Sequence, residues 1–299
     1  MARLAYLGTP EFAVPPLRAL VRVGHEITMV VSGPDRKRGR GAALSPSPVK
    51  AAATELGLST SSDLSDLTAP GVEPPELGVV VAFGRLIRPA TLAAVPMVNL
   101  HLSLLPRWRG AAPLERAILA GDPTIGVCVM AVEAGLDTGP VYARSELAIG
   151  PDEHLGPLRD RLIEAGSRLL VAAVAHGAAG LPEPVPQEGE ATYAKKIEPG
   201  ELEIDWSAPS AQVLAVVRLD KAFSFVGRKR LRVLEAGPAP SHHPAAGVAP
   251  GTLASGLVAT GDGAVRLETV QPEGGRPMSV QEWLRGGRLP EQVRLGRAR

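Results

Sequence analysis

The opening of the chain does most to limit its fold. Residues 3–7 read as a strand, Gly8-Thr9-Pro10 turns the chain into a helix over about 12–23, and residues 26–32 read as a second strand. Two strands joined by a helical crossover pair in parallel, which predicts an open, doubly wound α/β sheet. The run Leu77-Gly78-Val79-Val80-Val81-Ala82-Phe83 agrees, because a continuous apolar stretch marks a central parallel strand buried on both faces. A dinucleotide site at the first turn would show Gly-x-Gly-x-x-Gly. Gly8-Thr9-Pro10-Glu11-Phe12-Ala13 lacks two of those glycines, which argues against NAD or FAD.

Residues 97–109 organise the rest. Asn99, His101 and Ser103 alternate with Val98, Leu100 and Leu102, so a strand here carries three polar side chains on one face. Leu104-Leu105-Pro106 breaks the strand, and Arg107-Trp108-Arg109-Gly110 leads towards a helix over 112–120. A strand that ends in polar residues before a loop is where an open α/β sheet places its ligand. Further on, residues 126–131 read as a buried strand around Cys128, residues 133–140 as a glycine-flanked loop holding Asp137, and residues 142–149 as another strand. Leu155, Leu158, Leu162, Leu169 and Leu170 mark the apolar face of a closing helix.

A chain of 299 residues, 45% hydrophobic, fills one α/β core and leaves enough for a smaller module. The expected division is a larger domain over 1–180, a Gly-, Pro- and Glu-rich linker over 181–204, and a second domain over 205–299. In that second part a helix over 211–218 precedes β-rich segments at 228–235, 251–260 and 263–270, which suggest a small barrel. The formal charge is only +1, yet residues 205–299 hold 13 basic and 8 acidic side chains. Such an excess would suit contact with phosphates, but on charge alone a solvated surface is the slightly favoured reading. In the run 33–41, Arg36-Lys37-Arg38 is followed by Gly39-Arg40-Gly41 in an expected exposed, mobile loop, for which a solvated connection and a basic loop that closes over an anionic substrate both stay open.

One cysteine allows no internal disulfide; Cys128 in its apolar run reads as a packed thiol in a reducing compartment. There is neither the apolar core of a signal peptide nor a run of bilayer length, so a cytoplasmic protein without a membrane partner is expected. His242-His243 has no carboxylate or cysteine at ligand spacing, and no metal is expected.

The candidate chemistry rests on Asn99, His101 and Asp137. An amide can donate to a developing oxyanion, an imidazole can take a proton near neutral pH, and a carboxylate can orient the imidazole and favour its charged form. That set fits transfer of a carbonyl group to an amine. Ser103 lacks a strained Gly-x-Ser-x-Gly elbow and does not read as a nucleophile.

Beyond these residues the chain resembles the methionyl-tRNA formyltransferases, within the wider group of enzymes that use 10-formyltetrahydrofolate. The resemblance is carried by Gly8-Thr9-Pro10-Glu11-Phe12-Ala13, Pro34-Asp35 with Gly39-Arg40-Gly41, Ser47-Pro48-Val49-Lys50 and Val80-Val81-Ala82-Phe83-Gly84. It continues through Asn99-Leu100-His101, Ser103-Leu104-Leu105-Pro106, Arg109-Gly110-Ala111-Ala112-Pro113 and Gly135-Leu136-Asp137-Thr138-Gly139. Thr192-Tyr193-Ala194-Lys195-Lys196-Ile197 and Ile204-Asp205-Trp206 extend it into the second domain.

The resemblance implies a Rossmann-like, mostly parallel sheet (the formyltransferase fold), followed by a small C-terminal barrel of the oligonucleotide-binding type. It implies formyl transfer from 10-formyltetrahydrofolate, as co-substrate, to the α-amino group of methionyl initiator tRNA by a monomer. Asn99, His101 and Asp137 match the catalytic positions. Ser103, Leu104, Leu105 and Pro106 match the folate-binding motif, with Phe83 and Gly84 beside it. Arg36, Lys37, Arg38 and Arg40 match a basic lid that engages tRNA. Leu102, the pair Ala42-Ala43 and Lys221-Ala222-Phe223-Ser224-Phe225 depart from the family pattern. Rival readings are a formyltransferase for an amino sugar or another small amine, a 10-formyltetrahydrofolate hydrolase, and a non-catalytic RNA-binding protein.

Overall fold

The computed structural model describes residues 1–38, 43–240, 248–287, 290 and 292–297. They form two compact units: residues 1–114, 124–148 and 159–195 make the first, and residues 115–123, 149–158 and 196–299 the second.

The chain runs through β1 (Arg3–Gly8), α1 (Val14–Arg22), β2 (Glu26–Val31), β3 (Arg36–Arg38), β4 (Ala43–Ser45), α2 (Pro48–Glu55), β5 (Thr60–Ser61) and β6 (Leu77–Val81). It continues with α3 (Pro89–Ala94), β7 (Met97–His101), β8 (Arg109–Gly110), α4 (Pro113–Ala120), β9 (Thr124–Ala131), β10 (Val141–Ala148), α5 (Leu155–Ala173) and β11 (Tyr193–Ala194). One seven-stranded sheet has the order β10-β9-β7-β6-β1-β2-β5. The pairs from β7 to β5 are parallel, whereas β9 and β10 join antiparallel. This is the expected Rossmann-like sheet. Its centre is set by apolar runs: all five residues of β6 are buried, as are five of the six in β1. Prolines in the first turn of α1 and Ser47, whose side chain accepts the Lys50 N–H at the start of α2, set the helix entries.

Two expectations are corrected here. The strand at 97–103 ends at His101, and Ser103 lies in the bend beyond it. The reason is local: the Ser103 hydroxyl donates to the Arg107 carbonyl at 2.7 Å, closing a turn in place of a sheet pairing. The basic run after β2 is not a plain loop either, because β3 and β4 pair antiparallel with Arg36 opposite Ser45.

In the second unit, α6 (Ser210–Val217), β12 (Phe223–Val226), β13 (Lys229–Pro238), β14 (Thr252–Ala254), β15 (Leu257–Ala259), β16 (Ala264–Pro272), β17 (Met278–Ser279), α7 (Val280–Gly286) and β18 (Gln292–Arg294) follow. The sheet order is β12-β13-β16-β15-β14-β18, with β17 on β16. A bridge from Val226 to Leu295 brings its two ends together, so the antiparallel sheet nearly closes into a barrel. Trp206, Val213, Leu231, Val233, Leu253 and Val265 lie in its core. Trp206 Nε1 donates to the buried Ser224 hydroxyl at 2.9 Å. His242 and His243 lie outside the described residues. Among the described residues no helix is long and apolar enough to cross a membrane.

Candidate active site

Strand β7 carries Asn99 and His101, two residues apart and therefore on the same face. The loop after β9 brings Asp137 to both. Asn99 Nδ2 donates to Asp137 Oδ1 at 3.3 Å, and the Gly110 N–H donates to Oδ2 at 2.9 Å. His101 Nδ1 lies 3.7 Å from the same Oδ2, beyond hydrogen-bond range but close enough for charge attraction. The imidazole is oriented from its other side, where Nε2 bonds the Trp108 carbonyl at 3.0 Å. A carbonyl oxygen only accepts, so the neutral ring carries its proton on Nε2 and keeps the Nδ1 lone pair for a substrate proton. Orientation by Trp108, with Asp137 held by Asn99 and Gly110, differs from the expected carboxylate-to-imidazole bond. The His101 and Asp137 side chains are 7% and 13% exposed, which leaves the site reachable but largely screened from water.

The backbone around the carboxylate is tightly specified. Asp137 sits at φ +51°, in the left-handed region. A Cβ on Gly139 would lie 2.1 Å from the Ala131 carbonyl oxygen, so only glycine fits where the loop passes β9. Gly110, at φ +117°, would bring a Cβ within 2.9 Å of the Ala194 carbonyl oxygen.

The structure also places the other expected residues. Ser103 is fully buried, and Leu105 packs with Cys128, Met130 and Val141. Leu104 and Pro106 remain partly exposed at the edge of that turn. Burial raises the Cys128 thiol pKa, consistent with a packed and unreactive side chain. The Phe83 side chain packs in the core with Leu7, Val80 and Ile87, and Gly84 beside it is exposed. The Phe83 carbonyl already accepts the Thr9 hydroxyl at 3.3 Å. Arg36 is exposed; Arg40 lies outside the described residues, as do the side chains of Lys37 and Arg38. Among the described residues no group of three or more His, Cys, Asp or Glu is arranged to hold a metal ion.

Two contributors were not foreseen. Thr192 accepts the Trp108 N–H at its hydroxyl, 2.9 Å away, and Gln187 contacts both Arg109 and the Asp137 loop. Thr192 belongs to a motif that carries the resemblance, although no role followed from it. Gln187 stands in a Pro- and Glu-rich stretch without periodicity and gives no signal of its own.

Residues 2–174 match the formyl transferase family, and residues 196–288 match the formyl transferase C-terminal domain. The chain is 43% identical to the methionyl-tRNA formyltransferase of Jannaschia sp. (strain CCS1), over 96% of its own length and 97% of that protein. The chain belongs to the methionyl-tRNA formyltransferase family. It is likewise 43% identical to the family member of Dinoroseobacter shibae, over 97% of this chain and 99% of that one. Solved structures share the fold at lower identity. The methionyl-tRNA formyltransferase from Clostridium thermocellum superposes with a TM-score of 0.56 at 18% identity, covering 80% of this chain and 94% of that one. HypX from Aquifex aeolicus, in complex with tetrahydrofolic acid, gives 0.65 at 19%, covering 95% of this chain and 47% of that one. As a member of this formyltransferase family, the chain is a one-carbon group transferase.

Proposed function

We propose that this chain transfers the formyl group of 10-formyltetrahydrofolate to the α-amino group of methionine esterified to initiator tRNA. The observation that carries the reading is the meeting of Asn99, His101 and Asp137, in a chain 43% identical over nearly its full length to relatives named for that reaction. The donor set suits a reduced folate as co-substrate: an amide N–H, an unprotonated ring nitrogen and a carboxylate converge.

In this reading the formyl donor lies along the turn formed by Ser103, Leu104, Leu105 and Pro106 and the main chain at Phe83 and Gly84. The methionyl amine adds to the formyl carbon, and the second Asn99 amide N–H stabilises the charge that gathers on the formyl oxygen. His101 Nδ1 takes the proton released by the attacking nitrogen. The resulting imidazolium faces Asp137 3.7 Å away, and proton return lets the bond to the folate nitrogen break. An α-amino group with a pKa of about 8 is partly neutral at physiological pH, so the base is needed during attack rather than before it.

The basic residues Arg36, Lys37, Arg38 and Arg40 would engage tRNA phosphates, together with the basic C-terminal part. The protein would act in the cytoplasm as a monomer. The test offers equal concentrations of methionyl-tRNA, an amino-sugar nucleotide and water alone as acceptors, with labelled formyl donor. Label in formyl-methionyl-tRNA, lost steeply as salt rises, is expected. Label appearing in the sugar or as free formate would transfer the reading to the corresponding rival.

A further inference from the structure

Residues 175–195 fall between the two regions that match formyl transferase families, and their position suggests a plain connection. The contacts they make do not. Val185 and Val141 exchange both main-chain hydrogen bonds, at 2.8 and 2.9 Å. Further on, β11 pairs in parallel with β8, and the Thr192 carbonyl accepts the Arg109 N–H at 2.9 Å. The segment is thus anchored at two places, one at the start of β10 and one along Arg109 and Gly110.

Gln187 lies between these anchors, half-buried among the exposed Pro184, Val185, Pro186 and Glu188. Its amide is fully used. Nε2 donates to the carbonyls of Asp137 and Gly139, at 2.9 and 2.8 Å. Oε1 accepts from Arg109 Nε and Nη2, at 3.1 and 2.7 Å. Two N–H groups and one oxygen that accepts twice account for the whole hydrogen-bonding capacity of a carboxamide. One of the two carbonyls it holds belongs to Asp137 itself and the other lies two residues further on, and Asp137 takes a left-handed conformation that a non-glycine residue keeps only when its surroundings impose it. The residue after Arg109 is Gly110, whose N–H binds the Asp137 carboxylate. Gln187 therefore ties the backbone of the Asp137 loop to the same two-residue strand that holds the Asp137 side chain.

We propose that Gln187 is a positioning residue for formyl transfer, clamping the Asp137 loop to Arg109 so that the carboxylate meets Asn99 and Gly110 beside His101. The proposal rests on the functional reading above, since it acts through that site. Glutamate at this position separates the two halves of the clamp. It keeps an acceptor for Arg109, but has no N–H for the two carbonyls.

The experiment compares wild type, Gln187→Ala and Gln187→Glu in steady-state transfer to methionyl-tRNA and in hydrogen–deuterium exchange of the peptide covering 133–140. Both variants are expected to lose roughly 100-fold in kcat, the cost of a misplaced catalytic group, with KM for both substrates little changed. Exchange in 133–140 is expected to accelerate in both, while Gln187→Glu keeps its thermal midpoint near that of wild type. Wild-type kcat in Gln187→Glu would overturn the proposal, as would unchanged exchange in 133–140. A wild-type protein that forms no formyl-methionyl-tRNA would overturn the functional reading instead, and the exchange data would still decide whether Gln187 holds the loop.

Discussion

Replacing Gly139 by alanine tests whether the Asp137 loop is set by backbone contact. The added Cβ would sit 2.1 Å from the Ala131 carbonyl oxygen, roughly 1.3 Å inside ordinary contact. The obstacle is main chain, so it cannot rotate away. The Ala131 N–H is itself bonded to the Pro140 carbonyl at 2.9 Å, and the Gly139 carbonyl is held by Gln187 at 2.8 Å. Relief requires the loop to lift off β9 by about 1 Å, carrying Asp137 two residues away. Displacement on that scale costs about 100-fold in rate, and overpacking of this kind costs about 1–3 kcal/mol of stability. For a unit of this size the stability loss corresponds to a fall of about 2–12 °C in thermal midpoint. Formyl transfer at saturating substrates and a thermal melt on the same preparations measure both. A Gly139→Ala protein with wild-type kcat would refute the reasoning, because the carboxylate would then tolerate the shift or the shift would not occur.

Three further outcomes follow from the same contacts. Asn99→Ala removes the amide proposed to face the developing oxyanion, and kcat should fall about 100- to 1,000-fold in a saturated transfer assay, with KM little affected. Trp206→Phe strands the buried Ser224 hydroxyl and should cost about 1–3 kcal/mol in denaturant unfolding, part of which Ser224→Ala in the same protein should restore. The hydrogen bond from His154 to Asp220, at 2.7 Å, raises the histidine pKa above its ordinary 6.5, with burial acting against it. Its stabilising effect is therefore fully present below 6.5 and fades as pH rises through the raised value. The thermal midpoint of wild type should exceed that of His154→Asn at low pH, and the gap should close on the alkaline side.

The parts of the fold legible in the sequence are those in which one strand or helix declares itself. Strand β6 is apolar at all five positions, and β1 is nearly so, because each is covered on both faces. The β3–β4 hairpin could not be read that way. Each of its strands is three residues long, and Arg36-Lys37-Arg38 has no apolar alternation. Strand β7 was legible up to His101 but not its end, since Ser103 keeps the period of two while its hydroxyl has already turned to the chain ahead.

The site shows the same division at longer range. Asn99 and His101 declare themselves as a polar pair on a strand, and Asp137, 38 residues beyond Asn99, through a glycine-flanked motif. Gln187 is 50 residues from Asp137 and 78 from Arg109, in a segment whose composition suits any surface connection. Its part depends on four hydrogen bonds that only the folded chain assembles. The tautomer of His101 is likewise fixed by a carbonyl, that of Trp108, whose position no side-chain pattern encodes.

The most direct measurement follows labelled formyl from 10-formyltetrahydrofolate into methionyl initiator tRNA, with wild type and His101→Ala side by side. Formyl-methionyl-tRNA formed by wild type and lost with the imidazole is the predicted result. Undiminished transfer by His101→Ala would contradict the assignment of the base, and label released only as free formate by wild type would contradict the acceptor.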